Sequence, residues 1–260
     1  MKLDANIAFN WTKIKEILES DQCSGEVIAY YKFDRSFRDV CFGHNAHKER
    51  NVVRDISEGI ANSAARFYDH YKISYLYVPS LYGYEWGSTF SVSIWFKNVE
   101  IVRDEIRGLI NNGPAAIQKQ NQHKSFRRSP TTPNTLGSWQ IRIASQKFIG
   151  ASIVTSHSAK TWQNITTAIS DHWHHFVMTY DGSTISFYHN SHLKLTDSSC
   201  YGNILSKNSQ VVMGHTKTRA RNGSGEMKDV YFNGYMDEVI LFKKALTAKQ
   251  VTRLYQLKVV

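Results

Sequence analysis

Alternation of apolar and polar residues is the dominant pattern of this chain beyond residue 24. In Phe90–Phe96 every second residue is apolar, and His174–Tyr180 repeats the period of two. Asp181-Gly182 follows and Thr184–Tyr188 alternates again, which predicts a β-hairpin. The same criteria predict further strands at Val27–Phe33, Ala64–Phe67, Tyr75–Val78, Trp139–Ile143, Ala151–Thr155, Gln210–Met213 and Tyr235–Phe242. Many short strands of this kind predict an all-β fold with two antiparallel sheets packed as a sandwich.

Helical spacing is confined to the two ends. Near the start, apolar residues recur every three or four positions at Leu3, Ile7, Trp11, Ile14 and Leu18. This predicts an amphipathic N-terminal helix within residues 1–24, and it lacks the unbroken apolar run of a secretory signal. Near the end, Thr247–Leu257 predicts a short helix with Thr247 as its N-cap. We therefore expect helix 1–24 and then one sandwich domain, 25–260.

Composition narrows the class of protein. The 260 residues include 32 Lys+Arg against 22 Asp+Glu, a formal net charge of +10, and 42% are hydrophobic, enough for a sizeable core. No stretch approaches the ~18 apolar residues of a membrane span. The three cysteines, Cys23, Cys41 and Cys200, allow one disulfide. The cellular compartment is left open by these features.

Three stretches, read in register, resemble the laminin G-like jelly-roll family of the concanavalin A-like lectin/glucanase superfamily. The first is Val27-Ile-Ala-Tyr-Tyr-Lys-Phe-Asp34 with Asp39-Val-Cys-Phe-Gly43-His-Asn45, and the second is Phe90-Ser-Val-Ser-Ile-Trp95-Phe. The third begins at Trp173 and continues to Phe232-Asn-Gly-Tyr-Met-Asp-Glu-Val239. The resemblance implies a two-sheet jelly roll that binds ligands on edge loops or on a concave face. Many members bind carbohydrate, and others are protein-interaction modules.

The resemblance also implies a structural calcium site. Its ligands would be Asp39 and Asp237, with oxygens near Gly43 and Asn45, and such oxygen ligands suit Ca²⁺. Cys41-Phe42 stands where the family has Ser-Gly. The alternative is that Asp237 accepts backbone N–H groups of a loop and no metal is bound.

Catalysis is not expected. Catalytic relatives carry a Glu-x-Asp-x-(x)-Glu strand that projects two carboxylates to one face. Here Asp237 and Glu238 are adjacent, which predicts opposite faces on a strand. His172, His174 and His175 lack a third ligand at metal-binding spacing, and we interpret them as solvated residues of a strand edge.

Candidate ligand-binding residues are aromatic or basic. Tyr82, Tyr84 and Trp86 lie in a turn-like segment, where rings either stack on sugar faces or cover the edge of a sheet. Trp95 and Trp173 are expected in the core. Two long polar segments carry basic candidates, Asn111–Gly137 with Lys124, Arg127 and Arg128, and Gly214–Lys228 with Arg219 and Arg221. Such clusters attract anionic polymers, or they are ordinary solubility charge.

The sequence thus predicts a non-catalytic, lectin-like module that binds glycans, including anionic ones, with calcium holding its loops. The alternative is a structural or adhesion protein that uses the jelly roll to bind copies of itself or another protein. Nucleic acid is not expected as a partner, because the base-stacking and groove-reading motifs of nucleic-acid binders are missing.

Overall fold

The computed structural model describes residues 23–68, 73–99, 106–113, 137–144, 147–219 and 227–256. The predicted N-terminal helix lies outside these residues, except for its last two positions. The elements are β1 (Val27–Tyr31), β2 (His47–Arg50), β3 (Val53–Asp55), β4 (Ala64–Phe67), β5 (Ser74–Val78), β6 (Phe90–Asn98), β7 (Arg107–Asn111), β8 (Trp139–Ala144), β9 (Phe148–Val154), β10 (Ala159–Thr167), β11 (Trp173–Tyr180), β12 (Ile185–His189), β13 (His192–Asp197), β14 (Val211–Met213), β15 (His215–Arg219), β16 (Met227–Tyr231), β17 (Gly234–Phe242) and α1 (Ala248–Gln256).

Two antiparallel sheets confirm the predicted sandwich. The first sheet has the order β13-β12-β11-β6-β17-β4-β3, and β1 also pairs with β17. The second sheet has the order β10-β9-β8-β7-β14-β5-β2. The alternating apolar residues of β6 are fully buried in a core shared with residues of the second sheet such as Trp139 and Ile141. Because successive strand residues face opposite sides, the other residues of β6 lie on the outer face of the first sheet.

Seven strands were not predicted from the sequence: β2, β3, β7, β10, β13, β15 and β16. Most of them are short or largely solvent-exposed, so the chain shows no apolar period there. The segment Gly214–Lys228, predicted to be irregular, contains most of the β15–β16 hairpin. The Asn111 amide donates to the carbonyl of His215 at 2.7 Å, and the Gln140 amide donates to the Thr216 hydroxyl at 2.6 Å. These bonds attach the hairpin to the outer face of the second sheet.

Helix α1 covers much of the outer face of the first sheet. Thr247 caps it as predicted, since its hydroxyl accepts the N–H of Gln250 and the Gln250 side chain accepts the N–H of Thr247. Val251 is fully buried against the sheet, and the Tyr255 ring stacks on Trp95 with centroids 5.4 Å apart. No helix among the described residues is long and apolar enough to cross a membrane.

Strand β17 changes partner halfway along. Gly234–Met236 pair with β4, whereas Val239–Phe242 pair with β1. Between them the register shifts at Glu238, which has a φ of 47°. β1 and β4 therefore lie end to end beside β17, and the loops that follow β1 and precede β4 meet at this break.

Candidate functional site

Asp39 organises the loop that follows β1. Its Oδ1 accepts the backbone N–H groups of Tyr30 at 2.8 Å and Cys41 at 3.1 Å. Its Oδ2 accepts those of Phe42 at 2.8 Å and His44 at 3.0 Å. A carboxylate has about four acceptor sites, so these four donors fill them. The side chain is 8% exposed and performs the loop-ordering role that the sequence assigned to a cation.

Asp237 is held in a similar way at the break in β17. Its Oδ2 accepts N–H groups from Ile60 at 2.8 Å and Ala61 at 3.4 Å, and its Oδ1 accepts that of Glu238 at 2.9 Å. The side chain is fully buried. Asp237 thus orders the loop before β4, as in the metal-free alternative.

The predicted calcium ligands do not fit a calcium site. The lone pairs of Asp39 point at N–H donors, and Asp237 orders a different loop. Gly43 is exposed and Asn45 is half-buried in the Asp39 loop. Within the described residues, no three histidine, cysteine or acidic side chains are grouped so that they could hold a metal ion.

Calcium should therefore leave stability unchanged. We expect the same unfolding temperature in excess calcium and in chelator, because the backbone donors already satisfy both aspartates. Scanning calorimetry checks this expectation. A metal that binds only the folded state at 100 times its Kd would add about 2.7 kcal/mol, and the resulting rise in unfolding temperature would support the calcium site instead.

A disulfide and two hydrogen bonds brace the same loop. Cys23 bonds to Cys41, while Cys200 is free and buried. The Tyr31 hydroxyl donates to the carbonyl of His44 at 2.7 Å, and the Ser63 hydroxyl lies 3.0 Å from the carbonyl of Phe33. The loop after β1 is consequently tied to the N-terminal side of β1 and to the start of β4.

The predicted aromatic segment is only partly available to a ligand. Trp86 is 3% exposed, and its ring packs on Phe90 and Trp139, at 4.9 and 5.2 Å between centroids. It belongs to the core because the segment folds inwards here, so Trp86 cannot stack on a sugar. Tyr84 is half-buried against Trp86, and Tyr82 is 61% exposed. Tyr82 thus remains a predicted contact, beside the Asp39 loop.

Most of the basic candidates fall in segments that the structure does not describe. Lys124, Arg127, Arg128 and Arg221 lie outside the described residues. Arg219 ends β15, where its backbone pairs with Met227. The role of these residues in binding stays a prediction.

Two of the clustered histidines are buried, which corrects their interpretation as solvated residues. His174 lies 2.9 Å from the His189 ring and 2.8 Å from the carbonyl of Ile169. Because a carbonyl only accepts, His174 Nε2 carries a proton, and its Nδ1 accepts from His189 when both rings are neutral. His175 stacks on Trp95 with centroids 4.8 Å apart. Burial is the main cause that lowers the pKa of His175 to about 3 and of His189 to about 4.

These pKa shifts predict a loss of stability in acid. Between about pH 6.5 and pH 3 to 4, His175 and His189 are protonated in the unfolded chain and neutral in the folded chain. Each histidine thus lowers the free energy of unfolding by about 1.4 kcal/mol for each pH unit as the pH falls through that window. His175→Phe should reduce the slope of unfolding free energy against pH by that amount, measured by denaturant titrations at pH 4.5 to 6.5.

This prediction is tested by the difference between the parent and His175→Phe in the slope of unfolding free energy against pH. Burial raises the pKa of Asp237 to about 8 and of Glu238 to about 7, and these acids give a slope of opposite sign. They act equally in parent and variant and cancel in the comparison. His47→Phe, at an exposed position of β2 in the second sheet, is the control and should keep the parental slope. An unchanged slope in His175→Phe would contradict the assignment.

Aromatic and basic side chains form a row across the outer face of the first sheet, next to the part that α1 covers. Cross-strand register pairs Trp173 with Lys97, Lys97 with Tyr235, and Tyr235 with Arg66. We call these four residues, with Tyr68, the aromatic–cation row. At about 4.8 Å per strand, the row spans about 14 Å from β11 to β4. Its four paired members are half-buried, and Tyr68 is 37% exposed.

Contacts within the row fix its side chains. Lys97 Nζ lies 4.6 Å from the centroid of Tyr235 and 5.8 Å from that of Trp173. The Arg66 guanidinium lies between Tyr235 and Tyr68, at 4.7 and 4.4 Å. These are cation–π distances.

Polar partners hold both cations in place. Lys97 also forms an ion pair with Glu58. Arg66 Nη1 donates to the Asn233 side chain at 3.0 Å and to the carbonyl of Gly234 at 3.1 Å. The row is therefore held before any ligand arrives.

Sequence reasoning missed this row. Trp173 was expected in the core, but it lies on the outer face because it pairs with Lys97 at the end of β6 that α1 leaves uncovered. One signal was available, since Lys97 continues the outward series Ser91, Ser93, Trp95. Tyr235 and Arg66 align with Lys97 through the strand register, which depends on the bulge in β17. Nothing in the sequence marks this bulge.

Comparisons with known proteins agree with this fold. The family model described as the concanavalin A-like lectin/glucanases superfamily (Laminin_G_3) matches residues 73–252. No curated protein sequence matches the chain.

Solved structures share the architecture at low identity. Domain 4 of AbnA, a GH43 extracellular arabinanase from Geobacillus stearothermophilus solved with arabinotriose, is 18% identical, with a TM-score of 0.58 over 89% of this chain and 98% of that one. The binding domain of botulinum neurotoxin DC, in complex with SialylT, is 14% identical, with a TM-score of 0.58 over 90% of this chain and 51% of that one.

The binding domain of Paraclostridial Mosquitocidal Protein 1 is 13% identical, with a TM-score of 0.61 over 89% of this chain and 52% of that one. This chain thus spans about half the length of the two toxin domains, and at these identities the likeness concerns the fold. The family model matches more than half of the chain, and the two-sheet jelly roll agrees with that match. The chain belongs to the laminin G-like family of the concanavalin A-like lectin/glucanase superfamily.

Proposed function

We propose that this chain is a non-catalytic glycan-binding module whose sugar platform is the aromatic–cation row. The supporting observation is that Trp173 and Tyr235 lie in register on a sheet face that the described part of α1 does not cover, with their centroids 6.4 Å apart. The C–H faces of sugars pack on such rings. The fixed charges of Lys97 and Glu58 offer donors and acceptors to the hydroxyl groups of a sugar, which gives orientation and specificity.

Pre-organisation supports the same proposal. Binding is weakened by the ordering of side chains, at about 0.5–1.5 kcal/mol for each flexible side chain that is immobilised. Lys97 and Arg66 are already held between rings and by polar partners, so most of this cost is met on folding.

The non-catalytic part of the proposal rests on the adjacent acids. Asp237 is fully buried and accepts three N–H groups, so no substrate reaches it. Glu238 accepts the Tyr30 hydroxyl at the break in β17. Glycoside hydrolysis needs two acids free to act on either side of the scissile bond, whereas both of these carboxyls are engaged in bonds that hold the fold.

A glycan array containing neutral and acidic oligosaccharides tests the function. We expect the wild-type chain to bind a restricted set of glycans and Trp173→Ala to lose them. Tyr201→Ala is the matched control, since Tyr201 is also an exposed ring, 55% accessible, stacked on His157 away from the row. A blank array with folded protein would refute glycan binding and favour protein-mediated assembly. Loss in Tyr82→Ala with retention in Trp173→Ala would instead place the platform on the predicted loop.

A further inference from the structure

We propose that the loop after β1 forms a pocket for an oxyanion carried by a sugar, either a sulfate ester or a carboxylate. The pocket has a volume of about 290 Å³ and opens to solvent beside β1. This is at the lower end of the range for small-molecule sites, ~300–1,000 Å³, and suits one substituted sugar unit. None of the residues chosen from the sequence for glycan contacts lines it.

The lining is strongly basic. Lys32, Arg35 and Arg38 face the pocket together with a single acid, Asp34, which leaves two positive charges in excess. Arg35 and Arg38 are exposed and form no ion pair within the part of the chain that the structure describes. Arginine forks bind the oxygens of carboxylates and sulfate-like groups through paired hydrogen bonds. Two such forks within four residues are therefore available to an incoming anion.

The pocket is rigid at its base. Asp39, immediately after Arg38, fixes the loop through its four N–H acceptor bonds. Phe33 is buried and has a φ of 56°, a strained backbone for a bulky residue, at a point where Ser63 holds its carbonyl. Strain of this kind persists only where the surroundings enforce it, and it is concentrated at ligand sites. The cations are thus presented by a braced loop.

The other groups in the pocket suit the rest of a sugar. Ser36 offers a hydroxyl, and Asp34 retains acceptor sites, since the one hydrogen bond that its side chain accepts from the described residues, from the N–H of Ser63, is long at 3.5 Å. Val40 is 47% exposed and adds an apolar wall. An anion together with a sugar hydroxyl and a C–H face matches this lining better than a bare inorganic ion.

The pocket lies close to the aromatic–cation row. Ser63 contacts the pocket loop, and Arg66 of the row is three residues further along the chain, or about 10 Å at ~3.3 Å per strand residue. One acidic glycan chain can therefore reach both. This placement rests on the proposed function, whereas the oxyanion pocket itself does not.

Chemical-shift titration of the ¹⁵N-labelled chain at constant ionic strength tests the pocket. The probes are methyl glucuronide for the carboxylate, glucose 6-sulfate for the sulfate ester, and methyl glucoside as the uncharged counterpart. We expect the two charged sugars to shift backbone signals of residues 32–40 and methyl glucoside to leave them in place. Arg35→Ala/Arg38→Ala should weaken the binding of both charged sugars at least tenfold.

The matched control is Lys249→Ala/Arg253→Ala, which removes the same charge from exposed positions of α1. It should bind as the wild-type chain does. Equal losses in both double variants, equal shifts with methyl glucoside, or no shift in residues 32–40 would each overturn the pocket. Trp173→Ala separates the two proposals, because it removes the platform of the proposed function and leaves the pocket shifts intact. A blank array with intact pocket shifts would refute the function alone.

Discussion

Asp39→Asn is expected to lower the free energy of unfolding by about 2–6 kcal/mol. Each oxygen of Asp39 accepts two N–H groups from the loop after β1. The amide keeps one oxygen and turns an N–H₂ donor towards two of these N–H donors, so two donors lose their acceptor. A polar group left buried without a partner costs about 1–3 kcal/mol. Denaturant unfolding followed by circular dichroism measures the change.

Asp34→Asn is the matched control for this substitution. Asp34 is in the same loop and half-exposed, with one long hydrogen bond from Ser63. Its replacement should change the free energy of unfolding by less than about 1 kcal/mol. Equal effects of the two substitutions would show that the bonds to Asp39 do not stabilise the loop.

Trp173→Ala is expected to weaken binding of a glycan selected on the array by about 30-fold. Large aromatic side chains at the centre of a contact commonly account for about 2 kcal/mol or more of binding, and 1.4 kcal/mol is tenfold in affinity. Lys97 would also lose one of the two rings that hold it. Calorimetric titration of the wild-type and variant chains gives the ratio of dissociation constants.

Trp173→Phe keeps a ring at the same position and should recover most of the affinity. Tyr201→Ala should bind as the wild-type chain does, since Tyr201 lies on the loop before Ile204 at another surface. Denaturant unfolding of each variant shows that the fold is kept. An affinity for Trp173→Ala within twofold of the wild type would remove Trp173 from the platform.

The strands that build the core were predictable because burial imposes a period on the sequence. Phe90–Phe96 and His174–Tyr180 alternate since one side of each strand faces the core and the other faces α1 or solvent. β10 and β13 are edge strands that bury few side chains, such as Trp162 and Leu195, and their mostly exposed residues carry no clear period. β15 and β16 were missed because they form a two-stranded hairpin on the outside of the second sheet.

The site was harder to predict, for reasons of register and local geometry. Trp86 was selected as a surface ring although its neighbours Phe90 and Trp139 enclose it, which a linear pattern cannot reveal. Asp39 was predicted as a calcium ligand, but the groups that satisfy it are backbone N–H donors, which have no sequence marker. The alignment of Trp173, Lys97 and Tyr235 follows from the pairing of strands that lie 76 and 138 residues apart in the chain.

The most direct test of glycan binding on the aromatic–cation row is the indole N–H spectrum of the ¹⁵N-labelled chain during titration with a selected glycan. The signal of Trp173 is assigned by its loss in Trp173→Phe. We expect this signal to shift in proportion to occupancy, while those of buried Trp86 and Trp139 stay in place. A bound glycan that leaves the Trp173 signal unmoved would contradict glycan binding on the aromatic–cation row.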